Sequence, residues 1–301
     1  MIMKKLIVLL AALLLCLTAA SAEEGMRIVA PAGAPALAVC AMKENVETIS
    51  ADTIVTAFQE ESADFVIAPV NAGAMLYKKG KSTYRLAAVV TWGNLVFASQ
   101  NDGFVPDMIN GKVLTLFGEN TINATVALYI LKEKGIEPSK IEYLGSASAT
   151  QQLLLSDPES IVMTAEPAAT AAKVKNGAVV SYSLSDLYKD ITGTDGFVQA
   201  GLFVCAQTLE EKPDEVSAWL ELIRASADRC ANADELAAVA ADAVEMGIMP
   251  NEKIAEKALP GCHIRYVAVS DAREQIEAIA RLDPAMFGGE LPADDFYYDA
   301  E

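Results

Sequence analysis

Few side chains in this 301-residue sequence could take part in covalent chemistry, and those few are isolated. His263 is the one histidine, seated in Gly261-Cys262-His263-Ile264. A triad with an imidazole base, or an imidazole-rich metal centre, would have to use it. The five cysteines (Cys16, Cys40, Cys205, Cys230 and Cys262) are widely spaced and form no C-x-x-C pair, so zinc and dithiol motifs are not supported. No G-x-S-x-G elbow and no glycine-rich phosphate loop is present. These absences favour a chain that binds over one that transforms. No catalytic residue, no metal and no cofactor are expected.

Residues suited to binding gather in loops. In Pro31-Ala32-Gly33-Ala34-Pro35 the glycine lets backbone approach a ligand closely, and the following helix offers free N–H groups. The same stretch also reads as a plain tight turn. Asn71 and Ala72 lie at a helix start, where Asn71 either donates to a ligand or caps the helix. Thr91-Trp92-Gly93 carries an indole that stacks on a planar ligand or packs in the core. Glu119, Asn120 and Thr121 precede a longer helix. Asn120 and Thr121 serve as ligand donors or as caps, and Glu119 pairs with a cation or complements the positive helix end. Glu166 carries the same two readings, and Gln199 completes the set. None of these loops contains Lys or Arg. An oxyanion would be held there by amides and hydroxyls alone, whereas two glutamates and a tryptophan favour a neutral or cationic heterocycle.

The elements around these loops alternate. Residues 26–30, 64–68, 84–90, 112–117, 141–144, 160–163 and 178–182 read as strands. Residues 36–43, 53–60, 72–79, 121–134, 149–155 and 166–175 read as helices between them. Strands alternating with helices at this spacing imply parallel α/β sheets. Two extended stretches, 94–99 and 197–206, interrupt the rhythm and separate two α/β units. Helices dominate afterwards: Val216, Trp219, Leu220, Ile223 and Ala227 share one helical face, and further helices are expected over 236–243, 251–258 and 271–282. Two extended crossings make a hinge that bends with little unfolding. The cleft between the units would collect the loops at strand C-termini, where ligands bind in α/β sheets.

The first residues read as an export leader. Lys4 and Lys5 precede an apolar run over 6–17, and Ala20-Ser21-Ala22 gives the small-residue spacing of a cleavage site after Ala22. A retained anchor, or lipidation at Cys16, is the alternative. Cleavage leaves about 279 residues. The sequence has 23 basic and 41 acidic residues, a net −18 that becomes −20 without Lys4 and Lys5. Such acidity argues against nucleic acid or an anionic membrane surface as partner. Export permits disulfides. Cys230–Cys262 is the expected pair because both lie in the helical C-terminal part, with four buried free thiols as the equal alternative.

Four segments carry a family resemblance. Residues 64–72 (Asp64-Phe65-Val66-Ile67-Ala68-Pro69-Val70-Asn71-Ala72) form a strand and turn. Residues 131–144 include Lys134-Gly135-Ile136 and Ile141-Glu142-Tyr143, and Ala165-Glu166-Pro167-Ala168-Ala169-Thr170 is a third motif. The closing segment contains Gly288-Gly289-Glu290-Leu291-Pro292 and Asp294-Asp295-Phe296-Tyr297-Tyr298. In order and spacing the chain resembles the solute-binding proteins of ABC importers, in the branch serving nitrate, taurine, aliphatic sulfonates and thiamine-type precursors. Two loops depart from that pattern: Thr164-Ala165 stands for a common Leu-Pro, and Gly118-Glu119-Asn120-Thr121 for Gly-x-Gly-Ser-Thr. The resemblance implies a bilobal type II periplasmic-binding-protein fold, with lobe one spanning 23–98 plus 204–301 and lobe two 99–203. It further implies capture of a small molecule by hinge closure, a monomer, and delivery to an ABC permease. Fold-related enzymes of thiamine-pyrimidine or menaquinone biosynthesis, and a ligand-sensing receptor subunit, are the alternatives.

Overall fold

The computed structural model describes residues 25–299; the expected leader, its cleavage site and Cys16 lie outside them. Eleven strands are described: β1 (Ile28–Pro31), β2 (Val46–Ile49), β3 (Phe65–Pro69), β4 (Arg85–Thr91), β5 (Leu95–Ser99), β6 (Val113–Phe117), β7 (Lys140–Leu144), β8 (Ile161–Ala165), β9 (Val180–Ser183), β10 (Ala200–Val204) and β11 (Ile264–Ala268). The first-half helices are α1 (Ile54–Glu60), α2 (Val70–Lys78), α3 (Ile122–Glu133), α4 (Ala147–Ser156), α5 (Ala168–Lys175) and α6 (Leu184–Thr192). Those of the second half are α7 (Ala206–Glu211), α8 (Pro213–Arg229), α9 (Leu236–Glu245), α10 (Glu252–Ala258) and α11 (Val269–Leu282).

Two sheets result. One has the order β11-β4-β10-β3-β1-β2 and the other β7-β6-β8-β5-β9. Both are mixed, where purely parallel sheets were expected. β10 runs antiparallel between β3 and β4, and β5 runs antiparallel between β8 and β9. The pairs β1–β2, β1–β3, β6–β7 and β6–β8 are parallel, and β11 runs antiparallel to β4 at the sheet edge. The two extended stretches are therefore not linkers. Each is the antiparallel strand of the sheet it enters, so the chain passes between sheets at residues 92–94 and 193–199.

Alternation along the strands places side chains on both faces. Val29 packs in one cluster while Ile28 and Ala30 pack in another, and Phe97 separates from Val96 and Ala98 in the same way. Both faces of the central strands are covered, as a doubly covered α/β sheet requires. The cluster holding Val29 and Phe97 is continuous through Trp92, Leu95, Phe197 and Val198, so the crossings are themselves core. The C-terminal segment returns to the first sheet: Tyr298 N donates to Leu86 O at 2.9 Å, and Phe296 packs on Tyr77 and Phe203.

Besides β2, which was not expected, three elements differ from the expectations. Residues 34–45 form a 3₁₀ run kinked at Met42 where an α-helix was expected. Ala34, Ala36, Leu37, Ala38, Val39 and Cys40 are all buried there, so little solvent face exists to impose a 3.6-residue period. β11 was read as part of the helical tail. α6 follows β9, with Ser183 Oγ accepting from Asp186 N at its start. The Cys230–Cys262 bond is not formed; Cys40, Cys205, Cys230 and Cys262 are buried free thiols.

Candidate functional site

The site is assembled by register. Across the first sheet Ala200 is paired with both Pro69 and Thr91, and Thr91 with Ile264. The C-terminal ends of β3 and β4 thus share one edge with the N-terminal ends of β10 and β11. Backbone bonds knit that edge: Val70 N donates to Gln199 O (3.1 Å), Gln199 N to Thr91 O (3.1 Å) and Trp92 N to His263 O (3.0 Å). The second sheet meets it through Asn94. Glu166 N donates to Asn94 O at 2.8 Å, and Asn94 Nδ2 donates to Glu166 O at 2.8 Å. Gln199 is the clasp between the two sides. Its Oε1 accepts from Asn94 N at 3.2 Å, and its Nε2 donates to Asn123 Oδ1 on α3 at 3.0 Å.

Besides Nε of Arg265, four side-chain atoms at this junction are buried and have no hydrogen-bond partner within the protein: Asn71 Oδ1, Thr91 Oγ1, Trp92 Nε1 and Asn94 Oδ1. Their residues are at most 6% exposed. An unpaired buried polar atom costs about 1–3 kcal/mol, and folded proteins contain few. Four within 24 residues of sequence, brought to one sheet edge, form a set of unused donors and acceptors.

The individual candidates divide clearly. Asn71 does not cap α2, whose N-cap is Pro69 without a side-chain bond, so the capping reading fails and its amide oxygen stays free. Trp92 does not present a bare ring. The Arg265 guanidinium lies 4.3 Å from its centroid and is ion-paired with Asp195 at 3.4 Å. Thr121 is the cap of α3, with Oγ1 accepting from Asn123 N at 3.2 Å. Asn120 holds a left-handed turn at φ 59°, and it is exposed along with Glu119. Glu166 accepts from Thr170 N and Thr170 Oγ1, both at 3.0 Å, at the start of α5, as the helix-end reading has it. Burial raises its pKa, opposed by the Thr170 bonds and Lys173. Ala32 is exposed, Gly33 and Ala72 are half-buried, and Ala34 is buried. Gly33 takes φ 123°, which a β-carbon would strain.

Asn71, Thr91, Trp92, Gly93 and Gln199 are thus brought together, and Glu166 joins them through its backbone. Glu119 and Asn120 are not shown in contact with this group. Asn94, Asn123 and Arg265 belong to it and were missed. Asn94 directly follows a recognised loop, so adjacency was its signal. Arg265 gave none, because its strand was not recognised. It also places a cation beside loops that have none of their own. Among the described residues no cluster of His, Cys, Asp and Glu could hold a metal ion, and no helix is long and apolar enough to cross a membrane.

No family model and no curated protein matches the chain. Solved structures do. An ABC transporter structure from Parabacteroides distasonis aligns with a TM-score of 0.78 at 20% identity, covering 93% of this chain and 100% of the other. The zinc-bound ligand-binding component of an ABC-type import system from Staphylococcus aureus aligns at 0.71 and 12% identity, covering 92% and 97%. The alkanesulfonate-binding protein of Xanthomonas axonopodis pv. citri, bound to MOPS, aligns at 0.68 and 13%, covering 93% and 100%. The chain has the two-lobed α/β fold of periplasmic binding proteins, as its motifs implied. At these identities the likeness is one of fold.

Proposed function

We propose that this protein is the substrate-binding component of an ABC importer, holding a small polar molecule at the junction of its two lobes. The carrying observation is the group of unpartnered buried atoms on Asn71, Thr91, Trp92 and Asn94. A ligand that satisfies them gains hydrogen bonds without displacing protein partners. The set contains an N–H donor, a hydroxyl and two amide oxygens, which suits an uncharged polar group. Arg265 adds a cation at the rim and Glu166 a carboxyl already engaged by α5.

Lobe one comprises the first sheet and its helices, and lobe two the second; this puts β5 in lobe two and β10 in lobe one, a few residues from the limits at 98 and 204. Bending at 92–94 and 193–199 opens and closes the junction. Contacts to both lobes favour the closed state, which is all closure requires energetically. Export, a monomeric state and docking on a membrane permease complete the reading. His263, in a left-handed turn with its carbonyl bonded to Trp92, is a structural part and not a base.

Native mass spectrometry of the purified chain identifies retained ligand. Small-angle scattering with and without that compound then tests closure. Compaction on saturation, with no chemical change in the compound, is expected. Turnover of the bound compound, or an unchanged radius at saturation, would sink the proposal.

A further inference from the structure

Cys40, Cys230 and Cys262 lie in one core cluster against the first sheet. Two of them meet. Cys40 is in the 3₁₀ run and Cys230 immediately follows α8; Cys40 is fully buried and Cys230 is 3% exposed. The Cys230 thiol donates to Leu37 O at 3.5 Å, three residues before Cys40. Ala41 N, next to Cys40, donates to Ser226 Oγ at 3.2 Å, one turn before Cys230. These bonds flank the sulfurs and fix the register of one segment on the other. The neighbouring Cys230 thiol, aided by Arg229, holds the Cys40 thiol below its ordinary range despite burial, and Cys40 together with burial pushes the Cys230 thiol up.

We propose that Cys40 and Cys230 are an oxidation site, forming a disulfide that ties the 3₁₀ run to the C-terminal end of α8. The oxidant is an external disulfide, either oxidised glutathione or a thiol–disulfide oxidoreductase. The thiolate of either cysteine attacks one of the oxidant's sulfurs, a mixed disulfide forms and one thiolate leaves. The other cysteine, deprotonated, then attacks the protein sulfur of the mixed disulfide, the intramolecular bond closes and the second thiolate leaves. The pair loses two electrons and two protons, and the oxidant ends as two thiols. Both sulfurs are shielded once folded, so the bond closes before the 3₁₀ run is fully packed. Cys262, fully buried beside Glu166, and Cys205, in a different cluster, remain thiols.

The full chain, unfolded and refolded in a glutathione redox buffer, is alkylated under denaturing conditions and digested without reduction. A peptide pair joining Cys40 to Cys230 is expected, with Cys205 and Cys262 alkylated. The oxidised form should melt about 5–10 °C above the reduced form. The link should persist in a Cys205→Ser/Cys262→Ser variant, and the melting difference should vanish in Cys230→Ala. Alkylation of all four residues, or a link between Cys230 and Cys262, overturns the proposal. Because the oxidant is supplied in the tube, the outcome is independent of export and of the binding reading.

Discussion

Gly93 and Gly196 each lie where a side chain would strike the opposite crossing. A β-carbon on Gly93 would fall 2.5 Å from Phe197 Cε1, and one on Gly196 would fall 2.6 Å from Trp92 O. Both have left-handed φ, 84° and 78°. The two connections between the lobes are therefore packed against each other as one layer.

Gly93→Ala and Gly196→Ala should each cost about 2–4 kcal/mol, combining backbone strain with a steric clash. Gly33→Ala is the control: its φ is 123° but nothing lies within 4 Å of the added carbon. It should lose about 1–2 kcal/mol, from strain alone. Urea unfolding of the three variants checks the difference.

Thr91→Val removes a fully buried hydroxyl with no partner in the protein. The ligand-free variant should be unchanged or more stable by up to about 1 kcal/mol. Its affinity for the retained ligand should fall roughly tenfold, the equivalent of one hydrogen bond. Lower stability with unchanged affinity, by calorimetry, would show the hydroxyl to be structural.

Gln199→Ala breaks the clasp between Asn94 and Asn123. Under the proposed closure, ligand should bind about fivefold more weakly, as about 1 kcal/mol is lost from the closed form. Scattering should report a larger radius at subsaturating ligand. An unchanged binding isotherm would remove Gln199 from the mechanism.

Two groups give opposite pH slopes. Burial raises Glu166 above its ordinary 4.5, so over the window from there to its folded value the folded chain binds more protons than the unfolded. Stability from this residue is present at low pH and is lost as pH rises through that window. Burial lowers His263 below 6.5, so in its window the unfolded chain binds more protons, and stability is lost as pH falls. Glu166→Gln should flatten the first slope. His263→Asn, which keeps a residue tolerant of the left-handed turn, should flatten the second. Denaturation midpoints at closely spaced pH values separate the two.

Much of the fold was legible because most strands are short apolar runs bounded by turns, and the amphipathic helices of the C-terminal part show one apolar stripe. β2 and β11 escaped because they are edge strands: Val46-Glu47-Thr48-Ile49 is half exposed, and Ile264-Arg265-Tyr266 mixes charge with bulk. The mixed sheets were not readable, since an antiparallel strand has the same local pattern as a parallel one. At the site, Thr91, Trp92, Asn71 and Gln199 stood out because they follow or precede strands. Arg265 is 173 residues from Trp92 in sequence and meets it only through β11 pairing.

The position of β10 sets an order of assembly. It fills the middle of the first sheet, between β3 and β4, yet follows every strand of the second. As the chain leaves the ribosome, lobe two can close on itself while lobe one still has a gap at its centre. Only after residue 204 emerges can that gap be filled, and β11 must follow. Pairing over such sequence distances is slow. A chain built this way stays incompletely folded until late in its synthesis, the state that the proposed export would require.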